Sequence, residues 1–186
     1  MGVVDNKAVV VLGATSGIGA ATAELMAREG ADVVLAGRRV HEGEALAERL
    51  RAGTSFIVCD VLIESQVEAL IAGAHHRLGR LDGLVNCAGE GGVTTAIADV
   101  DLDGLKRTLA AHVGGALAAM KHVAPIMIEQ QSGSIVNVAS IAGRIAGWTG
   151  IAYASAKAAV IQATRCAAIE LGEHACERTR SRRVRS

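Results

Sequence analysis

The sequence predicts a doubly wound α/β domain built on a parallel sheet, and three observations carry that reading. Short apolar runs alternate with helical stretches of roughly 10–25 residues along the chain. Such alternation implies right-handed crossovers and a sheet covered by helices on both faces. Apolar residues make up 51% of the 186 and aromatics only 2%, so the core must be made of Ala, Val, Ile and Leu, which suits helices packed closely on strands. A glycine-rich turn follows the first apolar run. The length suits one domain of roughly 100–200 residues with a real core.

Each element has its own signal. Lys7-Ala-Val-Val-Val-Leu12 is a continuous apolar run that ends at glycine, the pattern of a strand buried on both faces. Gly17 to Glu29 follows a helical spacing with Ile18, Ala21, Leu25 and Met26 on one stripe, and Gly30 stops it. The alternation then repeats as strand Ala31–Ala36, helix His41–Arg51, strand Ser55–Cys59, helix Glu64–Leu78 and strand Leu81–Asn86. One long helix is expected over Leu102–Glu129, with the sole proline, Pro125, near its end. A strand at Ser134–Ala139 and a helix from Ile151 to Gly172 complete the pattern. No internal repeat and no Pro-rich linker is present.

Nineteen basic and nineteen acidic side chains cancel. That balance speaks against a surface shaped throughout for nucleic acid or an anionic membrane. Residues 177–186 hold five Arg and one Glu, and without them the chain carries −4. Cys59, Cys87, Cys166 and Cys176 form no Cys-x-x-Cys pair, so neither a zinc knuckle nor a redox motif is expected. A reducing, cytoplasmic setting fits these thiols. The adjacent His75 and His76 read as solvated, and no metal site is expected. No apolar run reaches the ~18 residues of a membrane span.

Three groups of residues point to chemistry. Gly13-Ala-Thr-Ser-Gly17-Ile-Gly19 lies between the first strand and the first helix, where glycines permit a tight turn and free N–H groups face a pyrophosphate. Its spacing differs from Gly-x-Gly-x-x-Gly, and by itself it reads equally as an ordinary glycine turn. Gly37-Arg38-Arg39 ends the second strand; an acidic residue there would hold the ribose of NAD, whereas Arg accommodates the 2′-phosphate of NADP. An arginine pair solvating a strand end is the plainer reading.

Ser140, Tyr153 and Lys157 form the third group. Ser140 lies just past a strand's carboxyl end, and Tyr153 and Lys157, four apart, share a helix face. A phenol titrates near pH ~10 and needs a neighbouring cation to work at neutral pH. Lys157 can be that cation, while Ser140 bonds the substrate oxygen and Tyr153 exchanges a proton with it. Singly, each reads as a turn residue, a half-buried aromatic and a surface charge.

These stretches, together with Asp60, Asn86-Cys-Ala-Gly89 and Ile135-Val-Asn-Val-Ala-Ser140, resemble the short-chain dehydrogenase/reductase family from residue 7 to about 174. The resemblance implies a Rossmann-type doubly wound parallel sheet over residues 1–174 and NAD(P)(H) as cofactor; Gly37-Arg38, read with the glycine loop upstream, favours NADP(H) over NAD(H). It implies catalysis by Ser140, Tyr153 and Lys157 on a small secondary alcohol or ketone. Cofactor contacts are expected from Gly13, Thr15, Ser16, Gly17, Ile18 and Gly19 in the loop, and from Arg38, Tyr153 and Lys157. Asp60 and Val61 are expected beside the adenine, with Asn86, Ala88 and Gly89 in the floor. A homo-oligomer through the helices at 102–129 and 151–172 is implied as well.

Three departures stand out. Leu12 replaces the family's usual Thr before the first glycine, an expected cost in stability. His112 replaces the Asn that serves as the fourth catalytic residue and holds a relay water; histidine both donates and accepts, so it is a candidate for the same part. The plain alternative is a helix-face histidine without one. Residues 175–186 form an Arg-rich tail unlike the family, whose last strands and Pro-Gly turn are then expected to be lacking. Back-translated with GC-rich codons, one added base makes the tail read Gly-Val-Arg-Ala-Asn-Ala-Val-Ala-Pro-Gly-Ala-Val, so a frameshift is expected rather than a nucleic-acid-binding arm. The alternative function is an inactive fragment that at most binds dinucleotide.

Overall fold

A computed structural model describes residues 2–50 and 53–172. The strands are β1 (Ala8–Leu12), β2 (Asp32–Gly37), β3 (Ser55–Val58), β4 (Gly83–Asn86) and β5 (Ser134–Asn137). All pair in parallel in the order β3-β2-β1-β4-β5. Every residue of β1 is buried, as a central strand sandwiched between two helical layers requires.

The helices are α1 (Gly17–Arg28), α2 (Val40–Arg49), α3 (Glu64–Leu78), α4 (Leu102–Leu109), α5 (Gly115–Glu129) and α6 (Ile151–Gly172). Alternation along the strands divides the core. Val9, Val11, Val33 and Leu35 pack with Ala23 and Ala27 of α1 and Leu46 of α2. Val10, Leu12, Val34 and Leu84 pack with Leu70 of α3, Val123 of α5 and Leu171 of α6. No helix among the described residues is long and apolar enough to cross a membrane.

The structure corrects the sequence reading in three places. Of the α1 stripe expected at Ile18, Ala21, Leu25 and Met26, only Met26 packs against the core: Ile18 is 64% and Leu25 47% exposed, and Gly19, Ala23 and Ala27 are the buried positions. A Cβ on Gly19 would collide with the Gly13 carbonyl, so contact distance selected the smallest side chains over the most apolar ones. The helix expected over 102–129 is three pieces, because residues Ala110–Gly114 form a π turn between α4 and α5. The wider turn carries His112 into the interior against the Glu90 main chain. Strands β4 and β5 are shorter than their apolar runs. The Leu81 N–H donates to Gln130 Oε1 and its carbonyl accepts from Gln130 Nε2, in place of a neighbouring strand, and β5 stops at Asn137. The 175–186 tail lies outside the described residues.

Candidate active site

The strand order reverses between β1 and β4, and crevices at such reversals, outside the carboxyl ends of strands, hold ligands in open α/β sheets. A cleft of ≈ 420 Å³ opens there, within the range of about 300–1,000 Å³ typical of small-molecule sites. Its walls come from the loop after β1, the ends of β2 and β3, and residues 87–90 after β4.

The loop after β1 is set by close packing. Gly13 and Ala14 both give their N–H groups to the Ala36 carbonyl, which seats the loop on the end of β2. Gly13 has φ +75°, and a Cβ there would lie 2.7 Å from the Ala88 nitrogen, so only glycine fits. Gly17, at φ +53°, is different: a Cβ there would meet nothing within 4 Å. Ser16 makes no side-chain cap on α1, so no hydroxyl claims the first N–H groups of that helix. An uncapped helix N-terminus under an open glycine fits an anion such as pyrophosphate.

Arginines stand at the far wall. Arg39 Nε donates to Thr15 Oγ1 at 3.2 Å and its terminal nitrogen to the Thr15 carbonyl at 2.7 Å, clamping the glycine loop. Gly37 makes room for Thr15, since a Cβ would approach its methyl to 2.8 Å. Arg38 extends along the cleft to Glu90, with a terminal nitrogen 3.7 Å from Oε1. Asp60 turns the chain after β3, accepting from the Leu62 N–H at 3.0 Å.

The second group lies beyond the cleft, on α6 and the turn after β5. Ser140 caps a short 3-10 turn, Ile141–Gly143, and its Oγ accepts from the Ala142 N–H at 3.2 Å, which leaves the hydroxyl proton to donate. Gly143 presses this turn onto α6, where a Cβ would lie 2.7 Å from the Lys157 carbonyl carbon. Lys157 is only 6% exposed. Its Nζ donates to the Val138 carbonyl at 2.7 Å and lies 5.6 Å from the centre of the Tyr153 ring. The His112 ring meets the Tyr153 ring edge to face at 5.3 Å.

His112 is 3% exposed. Its Nε2 lies 3.2 Å from the Glu90 nitrogen and 3.0 Å from the Glu90 oxygen, the tautomer deciding which contact is the hydrogen bond. Its Nδ1 is buried with no partner among the described residues, a mark of a place for water or ligand. Gly89, at φ +149°, is required because a Cβ would run into the imidazole. Burial, helped by the Lys157 charge, pulls the His112 pKa below its ordinary value despite the Glu90 contact. Burial likewise lowers that of Lys157. At Cys59, burial and then Asp60 push the thiol up to about 11.

Of the residues singled out in the sequence, Gly13, Thr15, Ser16, Gly17, Ile18 and Gly19 line the cleft, as do Arg38, Asp60, Val61, Ala88 and Gly89. Asn86, Tyr153 and Lys157, also expected at the cofactor, do not. Asn86 is 5% exposed, its Nδ2 donating to Asn137 Oδ1 and its Oδ1 accepting from the Ala88 N–H. Sequence reasoning missed Arg39 as the loop clamp, and Glu90. It also missed the Asn137–Thr164 hydrogen bond that ties β5 to α6. A polar residue inside the apolar run Ile135–Val138 was the available signal for Asn137.

The sheet order and the cleft at its reversal define a Rossmann-type α/β protein. A family model of short chain dehydrogenases matches residues 7–177, and the chain belongs to the short-chain dehydrogenase/reductase family. It is 36% identical over 173 residues to tropinone reductase-like 2 of Erythroxylum coca, covering 91% of this chain and 63% of that protein. To (+)-borneol dehydrogenase 1 of Salvia officinalis it is 36% identical over 171 residues, covering 91% and 66%. The chain thus spans less than two thirds of the length of these curated relatives. A crystal structure of an NAD+-bound xylitol dehydrogenase matches with a TM-score of 0.90 at 32% identity, covering 95% of this chain and 69% of that one.

Proposed function

We propose that this chain carries the dinucleotide cleft and the proton-transfer group of an NADP(H)-preferring oxidoreductase that interconverts a secondary alcohol and a ketone. The observation that carries the reading is the seating of Tyr153 between the buried Lys157 ammonium and the His112 ring. The relatives named for tropinone, borneol and xylitol support the same class of reaction.

A nicotinamide dinucleotide supplies or accepts the hydride. Every other part belongs to the protein. The first N–H groups of α1 hold the pyrophosphate, Arg38 meets the 2′-phosphate, and Asp60 and Val61 flank the adenine. Ser140 gives its free hydroxyl proton to the substrate oxygen. Tyr153 Oη transfers a proton to that oxygen in reduction and takes it back in oxidation. Lys157, held by the Val138 carbonyl, presents positive charge beside the phenol. His112 holds a relay water at Nδ1, the atom without a protein partner. Segments next to Ser140 and Tyr153 expose Ile141, Ile145 and Trp148, which suits a substrate with an apolar body. Leu117 of α5 and Ile169 of α6, also exposed, suit pairing of these helices across a homo-oligomer.

Fluorescence titration with NADPH and NADH tests this reading. Saturable binding that favours NADPH supports it; binding of neither refutes the cleft, and binding without turnover of any alcohol or ketone leaves only a nucleotide-binding fragment.

A further inference from the structure

We propose that Glu90 is a specificity-determining residue of the cleft: its carboxylate competes with the phosphate of an incoming nucleotide for the Arg38 guanidinium. The inference rests on the reading of the cleft as a dinucleotide site, and adds a residue which that reading does not use. Both side chains line the same cleft, and their charged atoms lie 3.7 Å apart. The neighbouring cation is already committed. Arg39 spends its Nε and one terminal nitrogen on Thr15 and faces Glu42 with the other. Arg38 is therefore the guanidinium at this wall that a phosphate can engage, and Glu90 is its ion-pair partner.

The main chain delivers the carboxylate to that place. The Glu90 main chain is held by Nε2 of His112, which accepts from its N–H or donates to its C=O according to the tautomer; the ring is buried in the π turn, and Gly89 has no side chain to push it away. The backbone at residue 90 is thereby held, and only the side-chain torsions can carry the carboxylate off Arg38. That movement is cheap, since the two side chains are 59% and 65% exposed and such pairs are weak. Glu90 consequently tunes affinity rather than blocking the cleft. A ligand with a 2′-phosphate must break the pair and bring its negative charge beside the displaced carboxylate. A ligand with a plain 2′-hydroxyl leaves the pair intact. Glu90 thus narrows the advantage that Arg38 confers on the phosphorylated nucleotide.

The test is a titration of the purified chain and its Glu90→Gln variant with NADPH and NADH at low and high salt. Glutamine keeps the main-chain contacts to His112 and removes only the charge. The variant should bind NADPH about three- to tenfold more tightly, with NADH moved much less. The gain should shrink at high salt and vanish when Arg38 is replaced by Ala in both backgrounds. An unmoved NADPH affinity, or equal shifts for both nucleotides, overturns the competition while leaving the cleft reading in place. A parent chain that binds neither nucleotide overturns both.

Discussion

His112 and Tyr153 meet edge to face, their ring centres 5.3 Å apart and their planes at 90°. They come from elements 41 positions apart in the chain, the π turn between α4 and α5 and the first turn of α6. With Lys157 below the phenol ring, this contact leaves Tyr153 a single defined place.

Tyr153→Phe should lower turnover by about 10²–10⁴-fold, the range of a lost acid–base catalyst. Dinucleotide affinity and the His112 contact should persist, because the ring remains. Steady-state kinetics beside a binding titration check both, and turnover that survives the change would remove Tyr153 from proton transfer.

Stability should depend on pH through His112. Its folded pKa lies below the ordinary value of 6.5, so the unfolded chain binds this proton more readily. Stability is then complete above that ordinary value and falls as the pH drops toward the lowered folded one, with a slope of at most about 1.4 kcal/mol per pH unit for one proton. Thermal melts from neutral to acid pH should show this loss, and His112→Asn should flatten it.

Gly17 and Gly19 should part ways on substitution. Gly19→Ala puts a methyl into the Gly13 carbonyl and should prevent folding or cost several kcal/mol. Gly17→Ala meets open space and should cost only about 1–2 kcal/mol for its left-handed backbone. The Gly17 variant should stay folded yet bind dinucleotide weakly, because the methyl stands where the ligand approaches. Circular dichroism and nucleotide titration separate the two outcomes.

Thiol labelling should discriminate sharply between two cysteines. Cys166 is exposed, whereas Cys59 is 2% exposed with its thiol pushed up to about 11. At neutral pH, iodoacetamide should modify Cys166 at least about tenfold faster than Cys59, because the thiolate is the reactive species. Peptide mapping by mass spectrometry reads this directly, and equal rates would contradict the burial of Cys59.

The fold was legible because the central strands of a doubly covered parallel sheet are apolar throughout, as Val9–Leu12 and Val33–Ala36 are. The glycine loop was legible because Gly13 and Gly19 occupy places no larger residue fits. The packing stripe of α1 was legible only at Met26, since hydrophobicity alone does not reveal that the Gly13 carbonyl leaves no room for a side chain at position 19. Nor was the inward turn of Asn86, whose side chain is spent on Asn137, 51 residues away.

By itself the sequence determined the order of elements, the parallel sheet, and the Tyr153–Lys157 pair on one helix face, because these follow from local periodicity. Only the tertiary structure decided that Arg39 clamps Thr15, that Arg38 meets Glu90, and that a π turn carries His112 against Tyr153. Those contacts join segments distant in the chain. Their geometry depends on how the strand ends are staggered and how closely the helices approach, which no local pattern encodes.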